Sequence, residues 1–202
     1  QSAPWVLIDG PRVALLVLLG GVGIRGALLV LGAARLRQLR RASQPWVPEP
    51  VWFASAQYGA RAFASLRLSS DVESAVAFGW RRASIVTPVR LASASDAHQR
   101  AVIAHELQHV ARRDWLVVIA EECARAVAWF HPAVWFALSE AQLAREEAVD
   151  RSVVDALSDR TAYVEALIAA AEGAPGLTLV PAPRFFRRHQ LVTRVERLLK
   201  EH

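Results

Sequence analysis

Three residues within His105-Glu106-Leu107-Gln108-His109 have the types and spacing needed to activate water on a metal ion. Two histidines four residues apart project from the same face of a helix, so both imidazoles can reach one cation. Glu106 lies about 100° further round that helix, within reach of an attacking water. A carboxylate in that place can take the proton of the water, so the segment predicts metal-dependent hydrolysis.

The flanking sequence favours a helix that could carry such a site. Ser95 offers an N-cap, and residues 97–111 contain neither glycine nor proline, so one uninterrupted helix is expected. The spacing is the HExxH pattern of zinc hydrolases, in which the glutamate is the general base. The alternative is a helix whose two histidines are satisfied by neighbouring side chains and bind no metal.

A third metal ligand is expected downstream, because catalytic zinc usually keeps three protein ligands and leaves one position for water. Glu146 and Asp150 stand one helical turn apart in a helix predicted over residues 133–158. Glu146 is predicted to ligate the metal, and Asp150 to accept a hydrogen bond from the far nitrogen of a ligand histidine. Glu147 is expected to point into solvent. Alternatively, all three acids belong to an ordinary exposed helix face.

Three ordered blocks of the chain resemble the BlaR/MecR-type membrane zinc metallopeptidases, the bacterial antirepressor proteases of the gluzincin group. Residues 104–114 resemble the HELxHxxRRD block of that family, residues 129–135 its WFNPxxW block, and residues 145–150 its RExxCD block. His131 stands where the family usually has Asn, and Val149 where it usually has Cys. The resemblance implies peptide hydrolysis with one Zn²⁺ per chain, in a zincin-like (gluzincin) domain of the α+β class that is mostly helical.

Peptide hydrolysis also needs a donor that stabilises the oxyanion. His131, Tyr163 and Arg194 are the candidates for this role, and each of them could equally be structural.

An apolar segment at residues 13–34 is long enough to cross a bilayer, which takes about 20 residues. Arg25 interrupts this segment and is expected to face protein rather than lipid, in contact with further transmembrane helices that this fragment lacks. The cluster Arg35, Arg37, Arg40 and Arg41 follows the segment, and the positive-inside rule then places the catalytic part in the cytoplasm. The alternative is a buried or amphipathic hairpin.

The chain therefore divides into an N-terminal flank (residues 1–12), a transmembrane helix (13–34), a basic and proline-rich linker (35–50) and a zinc metallopeptidase domain (51–202). Apolar residues make up 53% of the chain, and its mean hydropathy is +0.22, as expected of a membrane-associated protein. A small sheet is expected from short strands at residues 64–69, 75–78 and 84–87. Its edge at Ala83–Val86 could bind an extended substrate by strand addition.

Residues 115–129 are expected to form a helix that does not cross the membrane. Glu121, Glu122 and Arg125 argue against a second span, because charges are costly in the bilayer. The aromatic residues that follow, Trp129, Trp135 and Phe136, are expected in the protein core, with contact at the bilayer interface as the alternative.

These features predict a membrane-anchored zinc endopeptidase of the cell membrane that cleaves a protein substrate in signal transduction. The resemblance implies a transcriptional repressor, or the chain itself, as that substrate. The alternative function is a catalytically inactive, membrane-anchored signalling or scaffold protein with a zincin fold. The net charge of +5 does not predict direct nucleic-acid binding, because the basic residues are spread along the chain and interleaved with acids.

Overall fold

Helices and a small sheet alternate along the chain, and the computed structural model describes residues 9–47, 53–54, 56–57, 60–157, 161, 163–165, 167–168, 194 and 196–197. The helices are α1 (Gly10–Ala42), α2 (Asp96–Arg112), α3 (Asp114–Val127) and α4 (Pro132–Leu157). The strands are β1 (Gln44–Pro45), β2 (Ala64–Ser69), β3 (Val76–Phe78) and β4 (Ala83–Pro88), and a 3₁₀ helix (Val89–Ser93) leads from β4 towards α2. The prediction of a mostly helical α+β fold with a small sheet is confirmed.

The sheet has the strand order β1-β2-β4-β3, in which β2 and β4 run parallel and the two outer strands run antiparallel to their neighbours. Every residue of β4 is buried. Its buried hydroxyls are satisfied within the sheet: Ser84 is hydrogen-bonded to Ser65 at 3.0 Å, and Thr87 donates to the carbonyl of Arg67 at 3.3 Å. Gly79, with a φ of +99°, turns the chain between β3 and β4.

The predicted sheet edge at Ala83–Val86 is wrong. These residues belong to β4, which pairs with β2 on one side and with β3 on the other. A short apolar run reads as a buried strand, but its sequence does not state how many neighbours the strand has. Within the described part of the chain, β3 rather than β4 has a side without a paired strand.

Helix α2 lies between the sheet and α4. On one side Ile103 and Leu107, both with 0% of their surface exposed, pack in a cluster with Ile85 of β4. On the other side Ala101 packs in a cluster with Val149 of α4. The predicted cap is confirmed, because the Ser95 side chain accepts the backbone N–H of His98 at 3.4 Å. The helix that carries the HExxH pattern is therefore held on both flanks and at its first turn.

Helix α1 runs unbroken from Gly10 to Ala42, so the arginine cluster at residues 35–41 belongs to the same helix as the apolar segment. The helix is long and apolar enough to cross a membrane by length and composition. The last turns of α1 lie beyond the apolar stretch and pack against the sheet, because Leu36 and Leu39 belong to a cluster with Phe78 and Val86.

The N-terminal part of α1 contacts the turn between α3 and α4 and the start of α4. The indole Nε1 of Trp129 donates to the carbonyl of Leu18 at 3.3 Å, and the guanidinium carbon of Arg25 lies 4.5 Å from the centroid of the Trp135 ring. A cation over an indole face is an attractive arrangement. Arg25 therefore has a partner within this chain, whereas the sequence predicts contact with further transmembrane helices.

A side chain at Gly21 is expected to break this contact. A Cβ atom there would lie 2.1 Å from the ring of Trp129, whereas a Cβ at Gly20 would meet nothing within 4 Å. Gly21→Leu is therefore expected to lower the free energy of unfolding by about 1–3 kcal/mol, seen as a lower melting temperature by circular dichroism in detergent micelles. Gly20→Leu is the matched control, because it brings the same gain in helix propensity without the clash. Equal melting temperatures for the two variants would contradict the packing of Trp129 on α1.

Candidate metal centre

Three donor atoms converge between α2 and α4. The Nε2 atoms of His105 and His109 lie 3.2 Å apart, and they lie 3.6 Å and 3.7 Å from the two carboxylate oxygens of Glu146. A tetrahedral zinc ion with bonds of about 2.0–2.2 Å places its ligand atoms roughly 3.3–3.5 Å from one another. The three side chains thus stand close to the separations of three corners of a zinc tetrahedron.

His109 is oriented by Asp114, the first residue of α3. The Nδ1 atom of His109 lies 2.7 Å from Oδ2 of Asp114. Arg113 makes this contact possible, because its left-handed backbone (φ 58°) ends α2 and turns the chain back on itself. A carboxylate can only accept here, so Nδ1 carries the proton and the lone pair of Nε2 faces the centre.

His105 is oriented by a relay of three side chains. Its Nδ1 lies 2.8 Å from the hydroxyl of Tyr163, which donates to Oδ1 of Asp150 at 2.5 Å. Arg194 donates to both oxygens of Asp150, at 2.8 Å and 2.7 Å. The hydroxyl oxygen of Tyr163 must then accept the Nδ1 proton of His105, which leaves its Nε2 lone pair facing the centre as well.

With both histidines neutral, two imidazole lone pairs and a carboxylate face one another across 3.2–3.7 Å. Groups that can only accept repel one another at such separations, and a cation placed among them removes the repulsion. Neutral imidazole and carboxylate are ligands that zinc accepts. The residues present therefore fit a divalent metal.

The electrostatics among the side chains of the centre hold Glu146 in its ligand form, whereas they favour a proton on His109 that a metal would have to displace. Burial opposes the charged form of His109, but its hydrogen bond to Asp114 and the charge of Glu146 outweigh burial and raise its pKa. Burial likewise opposes the carboxylate of Glu146, but His105, His109 and Arg194 outweigh it and hold its pKa well below the ordinary value. Glu146 is thus a carboxylate at every pH at which a protein of this kind works.

A family model described as BlaR1 peptidase M56 matches residues 12–198. The chain belongs to the M56 peptidase family. The regulatory protein BlaR1 of Bacillus licheniformis is similar to it, with 30% identity over 95 residues, which is 47% of this chain and 16% of that relative. The chain thus covers about a sixth of the curated relative that it matches. The family resemblance seen in the three sequence blocks is confirmed.

In this M56 chain the predicted site residues come together with one exception. His105, His109 and Glu146 form the centre, and Asp150, Tyr163 and Arg194 surround it. His131 lies exposed just before α4, roughly 20 Å along the helix from Glu146.

The predicted base is buried beside the centre. Glu106 has 8% of its surface exposed, and its charge contributes to the raised pKa of His109. Within the described part of the chain its carboxylate makes no hydrogen bond or ion pair with another side chain. It is therefore placed to meet a water or a substrate proton.

Two predictions about the acids around the site need correction. Glu147 is not solvated: it is buried and paired with Arg197, with Arg151 at 4.0 Å. The predicted direct hydrogen bond from a histidine to Asp150 is replaced by the path through Tyr163, because Nδ1 of His105 and Oδ1 of Asp150 stay 3.5 Å apart. The direct carboxylate partner is Asp114, which the sequence argument did not single out. The sequence feature that could have identified Asp114 is its place as the acidic residue that ends the HELxHxxRRD block, immediately after the helix.

Replacing Asp114 with asparagine is expected to weaken zinc binding about 10–100-fold, the usual cost of losing the outer partner of a ligand histidine. The charge that favours the Nδ1 proton of His109 is then gone, although the shape is kept. Competition with a chromogenic chelator measures the zinc affinity. Asp155→Asn, on the exposed side of α4, is the matched control. If the zinc affinity of Asp114→Asn were unchanged, Asp114 would have no role in metal binding and would serve only as the first residue of α3.

Proposed function

We propose that this chain is the catalytic part of a membrane-anchored, zinc-dependent endopeptidase that cleaves a protein substrate in signal transduction. The observation that carries the proposal is the pair of Nε2 lone pairs turned towards the Glu146 carboxylate at 3.6–3.7 Å. Membership of a peptidase family supports the reaction class. The apolar stretch of α1, with arginines at the C-terminal end of the same helix, supports a membrane anchor with a cytoplasmic catalytic domain.

Each residue of the centre has a separate task in this proposal. His105, His109 and Glu146 would hold zinc, which supplies Lewis-acid polarisation of a carbonyl and acidifies water. Glu106 takes a proton from the attacking water and later gives it to the leaving amine nitrogen. Its burial on the ligand helix α2 keeps bulk water from competing for that proton.

Two of the three predicted oxyanion donors can be ranked by their hydrogen bonds. Tyr163 has one hydroxyl proton and gives it to Asp150, so its role is to position His105. Burial and the Asp150 charge raise the pKa of Tyr163, which keeps that proton in place. Arg194 has five N–H donors, of which Asp150 and Glu146 engage three. The remaining donors make Arg194 the better candidate for the oxyanion.

The substrate in this proposal is a cytoplasmic transcriptional repressor or the chain itself, as the family resemblance implies. A flexible segment of such a protein could add as a strand beside β3, on the side where the described residues place no paired strand.

Metal removal tests the proposal directly. The chain in detergent micelles is expected to carry one zinc ion by elemental mass spectrometry and to cleave fluorescein-labelled casein or itself. Treatment with 1,10-phenanthroline is expected to stop cleavage, and added zinc to restore it, because the ligands remain in place without the metal. A folded chain that binds zinc but cleaves neither protein would favour the inactive scaffold. A folded chain that binds no zinc would reject the endopeptidase.

A further inference from the structure

The outward face of α3 is apolar over its whole length. Every residue that it exposes between Leu116 and Val127 is an aliphatic residue or cysteine, and Val127 exposes 67% of its surface. The aromatic residues Phe130 and Phe136, which follow α3 in the chain, are also exposed, by 55% and 66%. A helix in contact with water carries its polar residues on the outside. A continuous apolar surface of this extent indicates a partner or a membrane.

The charged residues of α3 are turned inwards and paired. Glu121 accepts two hydrogen bonds from Arg145 of α4, at 2.7 Å and 3.1 Å, with 9% of each side chain exposed. Glu122 pairs with Arg125, and these side chains expose 11% and 12%. In the sequence, these charges argue against a second membrane span. Their inward, paired placement is the arrangement that charges adopt within membranes.

The position of this face along α1 follows from two contacts. Trp115, at the start of α3, packs against the cluster that contains Leu36 and Leu39. Trp129, just after the end of α3, touches Gly21 and donates to the carbonyl of Leu18. Helices α1 and α3 therefore run antiparallel and side by side for roughly 20 Å.

The apolar segment of α1 at residues 13–34 is about 33 Å long, close to the roughly 30 Å of a hydrocarbon core. Gly21 lies about 20 Å inside that segment, counted from its arginine-rich end. Whatever touches Gly21 then lies at the same depth. If α1 crosses the bilayer, the end of α3 cannot be in water.

We propose that the hairpin formed by α3 and the first turns of α4, here called the α3–α4 hairpin, is a re-entrant membrane element. It enters the bilayer from the side of the Arg35–Arg41 cluster, reaches past the midplane and returns without crossing. Its outward face contacts lipid acyl chains. The inference rests on the proposed membrane crossing of α1 and not on the peptidase activity.

The polar residues at the base of the hairpin agree with this depth. Arg112 and Arg113 precede α3 and lie partly or fully exposed, about 20 Å back from Trp129. They thus stand near the level of Arg35 on α1, where lipid phosphates lie. On the returning limb, Glu140 is the first exposed charged residue that the structure describes within α4, roughly 15 Å from the turn.

The single cysteine of the chain, Cys123, lies exposed on the proposed lipid face and can carry a nitroxide spin label without any substitution. The labelled chain is reconstituted into vesicles of phosphatidylcholine and phosphatidylglycerol. Power saturation then measures collisions of the label with oxygen, which concentrates in lipid, and with a water-soluble nickel chelate. Two variants that also carry Cys123→Ser serve as references: Ser93→Cys, exposed outside the proposed membrane region, and Leu19→Cys, exposed on α1.

The label at Cys123 is expected to collide often with oxygen and rarely with nickel, as at Leu19→Cys and unlike Ser93→Cys. Val127→Cys should report a greater depth than Cys123, and Leu116→Cys a smaller one. Frequent collisions of the Cys123 label with the nickel chelate, while the Leu19→Cys label collides mainly with oxygen, would overturn the re-entrant hairpin alone. Nickel access at both would overturn the α1 crossing and the hairpin with it. Low access to both reagents at Cys123 would show a protein partner on this face and overturn the contact with lipid.

Discussion

Glu106→Gln is expected to reduce peptide cleavage by about 10²–10⁴-fold, the usual contribution of a general base, while zinc content stays at one per chain. Glutamine keeps the size of the buried side chain but cannot take a proton at neutral pH. The three ligand side chains are untouched, so the metal should remain. Casein cleavage and elemental mass spectrometry on the same sample measure the two quantities.

Glu140→Gln is the matched control for this variant, since Glu140 lies exposed on α4 and is not one of the residues of the centre. It should retain full cleavage. If Glu106→Gln also retained cleavage with zinc bound, the proton would have to move through another group. Loss of zinc together with activity would instead show that Glu106 helps to hold the metal.

Glu146→Ala is expected to weaken zinc binding by more than the roughly 10–100-fold that an outer partner contributes, because it removes one of three direct donors. Alanine is a good helix former, so α4 should persist. Arg194 keeps both hydrogen bonds to Asp150 when its contact to Glu146 is lost. Zinc affinity by chelator competition, together with the melting temperature, separates a lost ligand from a lost fold.

Glu140→Ala provides the same chemical change at an exposed position of the same helix. Full zinc occupancy in Glu146→Ala would place the third ligand elsewhere, and the convergence seen between α2 and α4 would then have no role in metal binding. An equal fall in affinity in both variants would point to a general effect on α4.

The sequence predicted the centre well where local spacing decides geometry. His105 and His109 share a face because four residues make about one helical turn, and Glu146 and Asp150 obey the same rule on α4. The N-cap at Ser95 followed from side-chain chemistry in the same way. That these two helices face each other was inferred from the need of catalytic zinc for a third protein ligand rather than from spacing.

The features that the sequence did not predict depend on contacts between distant segments. Asp114 reaches His109 only because Arg113 adopts a left-handed backbone, which no helical spacing rule anticipates. Glu147 looked solvated because its partner Arg197 comes from far along the chain. The neighbours of β4 likewise depend on strand order, which a hydrophobic pattern does not encode.

The charged residues of α3 are a further case in which contacts with other residues could not be predicted from the sequence. By composition alone, Glu121 and Arg125 argue against a second membrane span. In the fold, however, Glu121 pairs with Arg145 of the next helix, and Arg125 pairs with Glu122. Counting charges is informative only when their partners are known.

The ligands lie on both sides of the α3–α4 hairpin, with His109 before it and Glu146 after it. A bound ion would act as a cross-link that closes a loop of roughly 40 residues, and such a closure removes conformational freedom from the unfolded chain. Part of the binding free energy then becomes folding free energy. The melting temperature of the chain should rise with the concentration of free zinc. Loss of zinc would thus lower the thermal stability of the chain as well as stop the chemistry.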